Sequence, residues 1–173
     1  MTDIGYDLRD YRDLYAKLRR DVTRFNEEPC GDHLFNAMVT AWSLADWLLA
    51  DLTPTDAMLP GLTALSGKTP GQAGRNSSLL HPAMQICRDI AEARKHGKLD
   101  RPALAVTGVR ATDGRLGGGF LLGFSRLNQT KHRYAVFADG QMHDAEDILG
   151  KVLAHYDEFL SKHALLDEEL SAD

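Results

Sequence analysis

The chain has 173 residues, of which 43% are hydrophobic and 26% are charged, and its formal net charge is -5 at pH 7. This length suits one domain with a substantial core, and the composition is ordinary for a soluble globular protein. The negative charge argues against a general nucleic-acid binder. No apolar run approaches the roughly 20 residues that cross a bilayer, and no charged, apolar secretory leader is visible, so no membrane partner is expected. The two cysteines, Cys30 and Cys87, form no metal or disulfide pattern, which favours a reducing cytoplasm.

Two amphipathic helices are predicted in the first third of the chain. The first covers residues 7–27, where apolar side chains recur at spacings of three and four. Pro29 and Gly31 then interrupt this pattern. The second helix covers residues 32–52, with Asp32 as its N-cap. Apolar residues occupy most of the circumference of the second helix, which predicts a central place in a bundle. Its main apolar stripe consists of Leu34, Met38, Ala41, Ala45 and Leu48.

Residues 53–78 are predicted to form an irregular loop, because three prolines and four glycines preclude a long helix. Within it, the segment LPGLTALSG at 59–67 could form one helical turn. Gly67-Lys68-Thr69 is not a phosphate-binding loop, because Leu62 stands where the earlier glycine is required and no strand precedes it. A loop of this length in a compact domain is usually functional or mobile.

The stretch 81–96, HPAMQICRDIAEARKH, predicts the helix around which the chain is organised. Pro82 suits its first turn, and Gly97 is the expected C-terminal stop. An apolar face is expected to enter the core, and it consists of Met84, Cys87, Ile90 and Ala91. An ionisable face is expected to point outward, and it consists of Arg88, Asp89, Glu92, Lys95 and His96.

A β-meander and a last helix follow. Strands are predicted at 103–110, 120–126 and 133–138, with a tight turn at Asp139-Gly140. Asp144 is the expected N-cap of a helix that runs to about residue 163. The fold class is therefore α+β, mainly α: a small helical bundle with a three-stranded antiparallel meander inserted before the last helix. We expect one domain over residues 1–166, with 103–138 as the insertion and 167–173 as an acidic tail.

The ionisable face of the 81–96 helix carries the candidate catalytic residues. At about 100° per residue, Asp89 and His96 lie roughly 20° apart on one face, with Glu92 between them. A carboxylate beside a histidine can raise the imidazole pKa and orient the ring, which suits acid–base chemistry near neutral pH. Arg88 could stabilise a phosphoryl charge at the same cleft. The plainer interpretation is a set of ion pairs on a solvated helix end.

A metal site is a competing use of the same residues. Glu92 and His96 could supply two ligands, and either His33 or Asp46 could supply a third from the second helix. No second histidine–carboxylate pair is predicted on a facing helix, so the sequence predicts neither a metal nor a cofactor.

Charge is unevenly distributed along the chain. Residues 88–133 contain ten Lys or Arg and four acids, a net charge of +6, whereas the rest of the chain contains 10 basic and 21 acidic residues. Such a basic segment could contact RNA phosphates, and the acidic remainder could meet a basic partner. The alternative is a surface whose charges intermix after folding.

Three motifs resemble a widespread group of uncharacterised bacterial helical proteins: DHLFNAMVTAW at 32–42, ICRDIAEARKH at 86–96 and DGQMHDAEDIL at 139–149. The pair Arg88 and His96 on one helix also resembles the HEPN superfamily of bacterial conflict and toxin–antitoxin proteins. That resemblance implies a dimer in which paired Arg and His residues cut RNA without a metal. Seven residues separate Arg88 from His96, one more than the HEPN pattern has.

Two functional hypotheses follow. The first is a cytoplasmic bacterial binding or oligomerisation module in an anti-phage or toxin–antitoxin setting, acting as a homodimer or with a cognate protein. The second is a metal-independent, HEPN-like endoribonuclease. In that enzyme His96 would be the acid–base group, Arg88 would stabilise the phosphate, and Glu92 or Asp89 would orient His96.

Overall fold

The structure is a computed structural model that describes residues 8–69, 74–96, 106–112 and 133–166, without the side chains of 94–96 and 112. Its helices are α1 (Tyr11–Glu27), α2 (Gly31–Asp51), α3 (Leu59–Ser66), α4 (Pro82–His96) and α5 (Ala145–Lys162). Its strands are β1 (Val106–Thr112), β2 (Arg133–Ala138) and β3 (Gln141–Asp144). The predicted fold class, α+β and mainly α with a three-stranded antiparallel sheet before the last helix, is confirmed.

The first two helices form where the sequence predicted them, but their starts differ. Asp10 caps α1 by accepting hydrogen bonds from the backbone N–H groups of Arg12 and Asp13, so the regular helix begins at residue 11. The prediction that Asp32 caps α2 is wrong. The sulfur of Cys30 accepts the backbone N–H of His33 at 3.4 Å, and Asp32 lies inside the first turn.

The segment predicted as an irregular loop contains more helix than expected. Residues Leu59–Ser66 form the two-turn helix α3, and Ser77–Leu79 form a short 3-10 turn. Gly67 ends α3 in the left-handed conformation, with φ of 68°, as a C-terminal glycine commonly does. Packing stabilises α3 here, because Leu62 and Leu65 are buried in the core.

The sheet has the strand order β1-β2-β3, and both pairings are antiparallel. The strand predicted at 133–138 is confirmed, whereas the one predicted at 120–126 lies outside the described residues. The third described strand is instead β3, which was not predicted. Asp139 and Gly140 both have positive φ, 49° and 72°, as a two-residue hairpin turn of the type I′ kind requires. This turn folds residues 141–144 back onto β2.

The core is centred on α2, which packs against the four other helices. The main stripe predicted for α2 is buried, so it contributes to the chain's own core and is not free to contact a partner. The hydroxyl of Tyr156 on α5 donates to the carbonyl oxygen of Ala41 at 2.6 Å, which satisfies a polar atom in this core. Within the described ranges, no helix combines the length and hydropathy needed to cross a bilayer.

Candidate functional site

Helix α4 forms where the sequence predicted a helix, but two residues of its predicted ionisable face are buried. Arg88 is 8% exposed and Asp89 is 1% exposed, although both were expected to point outward. The guanidinium of Arg88 donates to Oδ1 of Asp89, with Nε at 2.8 Å and Nη2 also in contact. Burial of each charge is tolerated because the other neutralises it. Asp89 therefore forms a buried ion pair and is not part of a solvated helix end.

Asp89 also connects α4 to the sheet. Its second carboxylate oxygen, Oδ2, accepts the backbone N–H of Val106 at 3.4 Å. Val106 is the first residue of β1, so the carboxylate spans the helix and the start of the strand. The Asp89 carboxylate thus contacts both the Arg88 guanidinium and the backbone of β1.

The other two candidate catalytic residues lie in the last turns of α4. Glu92 is half-buried and one turn beyond Arg88. His96 is the last residue of α4, but its side chain lies outside the described part of the chain. The expected helix stop at Gly97 also lies outside the described residues. The structure therefore brings Arg88 and Asp89 together, while the predicted contact of Glu92 with His96 stays a prediction.

Cys87 is confirmed on the apolar face of α4. It is fully buried, and its thiol lies 3.2 Å from the sulfur of Met38 on α2. Burial raises the pKa of the Cys87 thiol to about 12, so the thiolate form is scarce at neutral pH. Cys87 is a packing residue and not a nucleophile.

The two residues that could have completed a metal site on α2 have other contacts. Nδ1 of His33 lies 2.9 Å from the carbonyl oxygen of Glu28. The carboxylate of Asp46 is paired with Arg75, whose guanidinium stacks over the Trp42 ring at 4.2 Å from its centroid. Within the residues that the structure describes, no three His, Cys, Asp or Glu side chains are grouped to hold a metal ion.

A cleft of about 910 Å³ opens where α2, α4 and β1 meet. We call it the α2–α4–β1 cleft. Its described lining includes the apolar side chains of Phe35, Ile90, Val109 and Tyr134, together with the buried Asp89. Val109 is 41% exposed, one of two large hydrophobic side chains that stand in solvent within the described ranges. This volume falls within the range of small-molecule sites.

The shape of this cleft depends on a β-bulge in β1. The register between β1 and β2 shifts between Val106 and Gly108, which leaves Thr107 as an extra residue. The extra residue bends the strand, and the bulge lies at the cleft wall. The first turn of α2 faces it from the other side and brings Asp32 to the cleft.

Comparisons with protein-family models, with curated proteins and with solved structures found no match to this chain. The resemblances to the HEPN superfamily and to the uncharacterised bacterial helical proteins therefore stay predictions.

The cleft residues Asp32, Phe35, Val109 and Tyr134 were not predicted from the sequence as members of one site. They come from three separate segments of the chain, and no motif spacing connects them. The one available signal was Val109, an apolar residue in a strand that otherwise reads as half polar, and alternation alone does not distinguish a core contact from a cleft wall.

Proposed function

We propose that this protein is a binding module and that the α2–α4–β1 cleft is its binding site. The observation that carries the proposal is the exposure of Val109 in the lining of a cleft that also includes Phe35 of α2. Exposed apolar walls in a concavity lose contact with water when a ligand enters, and the area removed from water drives binding. Isolated surface valines are common, but this one faces a cavity with other apolar side chains.

The cellular setting of the proposal comes from the sequence. The resemblance to bacterial conflict proteins supports an anti-phage or toxin–antitoxin role, and the two unpaired cysteines support a cytoplasmic location. A homodimer or a cognate protein partner belongs to the same proposal. Either would have to use a surface other than the main α2 stripe, because that stripe is buried within the chain.

The HEPN-like ribonuclease is the alternative function. It needs the Arg88 guanidinium to meet an RNA phosphate, yet that group is buried and held by Asp89. The basic 88–133 segment supports RNA contact by charge alone. The pairing of Arg88 therefore favours the binding module.

RNA cleavage assays separate the two functions. We expect no cleavage by the wild type or by His96→Ala, with or without EDTA. Cleavage that persists in EDTA and disappears in His96→Ala would establish the ribonuclease. Cleavage that requires a divalent ion would revive a metal site that includes Glu92 and His96.

The binding site is tested with the neutral fluorescent probe N-phenyl-1-naphthylamine. We expect saturable binding to the wild type, and about tenfold weaker binding to Val109→Asp, because a charge in the cleft opposes entry of an apolar ring. Val109→Thr, which keeps the side-chain shape, should weaken binding less. The matched control is Leu79→Asp, since Leu79 is exposed to a similar extent, 39%, but lies outside the cleft lining.

Urea unfolding of each variant shows whether the fold is retained. The proposal fails if the wild type shows no saturable binding. It also fails if folded Leu79→Asp loses as much affinity as folded Val109→Asp.

A further inference from the structure

We propose that His81, His155 and Lys151 form a second binding site, which takes the phosphoryl group of inorganic phosphate or of a phosphate monoester. The three residues lie where the start of α4 meets α5. None of them belongs to the described lining of the α2–α4–β1 cleft, so the site does not depend on that cleft being a binding site. Its ligand is a small tetrahedral oxyanion.

The two histidines are brought together by the packing of α4 beside α5. Their imidazole rings are stacked, with 4.5 Å between the centroids and 28° between the planes, and both side chains are half-buried. The backbone of His81 is fixed on both sides. Its N–H donates to the carbonyl oxygen of Ala64 at 2.8 Å, and its carbonyl oxygen accepts the N–H of Gln85 at 3.0 Å. The His81 ring is therefore held at a defined place beside α5.

The hydrogen bond of the His81 ring identifies a donor for an anion. Nδ1 of His81 accepts the backbone N–H of Ala83 at 3.3 Å. A neutral imidazole has one N–H group, so the proton of neutral His81 is on Nε2, and this N–H can donate to an oxyanion. The N–H of Ala83 is already used by the ring. The site therefore consists of side chains and does not depend on the N-terminus of α4.

Lys151 adds a permanent positive charge to the histidine pair. It is exposed and lies four residues before His155 on α5, so the two side chains are neighbours on one face of the helix. Burial lowers the pKa of His81, and the positive charges of His155 and Lys151 lower it further. The three groups therefore oppose one another when the rings are protonated, and a bound anion relieves this repulsion.

The acidic residues of α5 do not neutralise this cluster. Asp147 lies four residues before Lys151, and Glu158 lies three residues after His155. Among the residues that the structure describes, neither acid forms an ion pair with Lys151 or His155. The lysine and the histidine of α5 are therefore available to an external anion.

The other elements beside His81 also leave the cluster basic. The α3 helix, which accepts the His81 N–H, contains no titratable side chain. Arg75, in the segment before α4, is paired with Asp46 on α2. The first charged residues of α4 are the buried Arg–Asp pair described above. In the sequence, residues 70–73 have no charge. The charges that act on the site are thus those of the histidines and Lys151.

Sulfate is the first probe, because it is a tetrahedral oxyanion whose charge is constant between about pH 5.5 and pH 8, where histidines titrate. The full chain is titrated at constant ionic strength, and the ¹H–¹⁵N NMR signals of the histidine rings are followed. We expect saturable shifts of the His81 and His155 rings. The affinity should be about fivefold higher at about pH 5.5 than at pH 8, because the imidazoles gain positive charge. Bound sulfate should also raise the pKa of His81.

Three variants assign the binding to the cluster. Lys151→Gln should weaken sulfate binding about fivefold at constant pH. His155→Gln should remove most of the gain in affinity at low pH. The control is Lys162→Gln, since Lys162 is also an exposed lysine of α5. It lies about 10 Å further along the helix than His155, where its charge is screened, and the variant should bind sulfate like the wild type.

Inorganic phosphate and phenyl phosphate distinguish the source of the phosphoryl group. Tighter binding of phenyl phosphate would indicate a monoester, and equal affinities would indicate free phosphate. The site is refuted if sulfate shows no saturable binding at about pH 5.5. Binding of sulfate without binding of either phosphate compound would also refute it, as would an equal loss of affinity in Lys162→Gln and Lys151→Gln. Circular dichroism of each variant verifies that the helices are retained.

Discussion

Arg88 and Asp89 are adjacent in the sequence, and the guanidinium of the first is paired with the carboxylate of the second inside the protein. Adjacent side chains on a helix point about 100° apart, so such pairs do not usually form. The length of the arginine side chain makes this one possible. The pair connects the organising helix to β1 through the backbone of Val106.

The buried pair predicts a large difference between two Asp→Asn substitutions. Asp89→Asn leaves the buried guanidinium without its counter-charge and should lower the free energy of unfolding by about 3–5 kcal/mol. Asp46→Asn removes the partner of Arg75, but the Asp46 side chain is 45% exposed, and the cost should be under about 1 kcal/mol. Urea unfolding measures both. A similar loss of unfolding free energy in the two variants would contradict the burial of the Arg88–Asp89 pair.

The close approach of α3 to α5 predicts opposite effects of two glycine substitutions. A Cβ on Gly61 would lie 2.6 Å from Cδ2 of the buried Phe159 ring, so Gly61→Ala should destabilise the protein by about 1–3 kcal/mol. Gly150 lies within α5 and has open space around its Cα, so Gly150→Ala should stabilise by up to about 1 kcal/mol. Thermal unfolding of both variants checks the signs. Stabilisation by Gly61→Ala would show that α3 does not pack closely against the Phe159 ring of α5.

The β2–β3 turn predicts a further glycine effect. Gly140 has φ of 72°, and a Cβ there would meet no neighbouring atom, so the cost of Gly140→Ala is conformational. The left-handed backbone should cost about 1–2 kcal/mol with a Cβ present. Asp139→Asn should be neutral or stabilising, because Asn-Gly is the preferred pair for this turn. Urea unfolding of the two variants tests the turn, and equal stability of Gly140→Ala and wild type would refute it.

His81 predicts a loss of stability in mild acid. Its Nδ1 accepts the backbone N–H of Ala83 at 3.3 Å, and its ring stacks on His155 with 4.5 Å between centroids. Burial, followed by the charges of His155 and Lys151, lowers the pKa of His81 below 6.5. The folded protein thus favours neutral His81. Its contribution is present above the unfolded pKa of 6.5 and is lost as the pH falls through the folded pKa.

The variant His81→Asn retains a hydrogen-bond acceptor at this position without a titratable ring. We expect its stability to fall less than that of the wild type between about pH 8 and pH 5. His143→Gln, on β3, serves as the control and should follow the wild type. Urea unfolding across this pH range makes the comparison, and identical pH profiles for His81→Asn and wild type would exclude the effect.

Much of the secondary structure was predictable because it depends on local patterns. Apolar spacing of three and four gave α1, α2, α4 and α5, and Asp144 caps the last helix as expected, accepting the backbone N–H of Glu146 at 3.0 Å. The Asp139-Gly140 turn was also evident from its residue types. The two-turn extent of α3 was not, because Gly61 disfavours a helix that burial of Leu62 and Leu65 then stabilises. Pro60 lies in the first turn of α3, where proline is tolerated.

The candidate site shows where local patterns fail. A helical wheel places Arg88 and Asp89 on the charged side of α4, and charged residues are rarely buried unless they are paired. The wheel contains no information about β1, which covers this side and donates a backbone N–H to Asp89. Likewise, Asp32 and Val109 are far apart in sequence, and only the packing of α2 beside β1 brings them to one cleft.

The sequence by itself determined the helix content, the hairpin turn and which face of α4 enters the core, since each depends on residues within one or two turns of one another. The tertiary structure alone decided that two charged neighbours are buried as a pair, and that distant segments of the chain meet at one cleft. The physical reason is that burial and cavity shape are properties of packed surfaces, and those surfaces exist only after the helices and the sheet have come together.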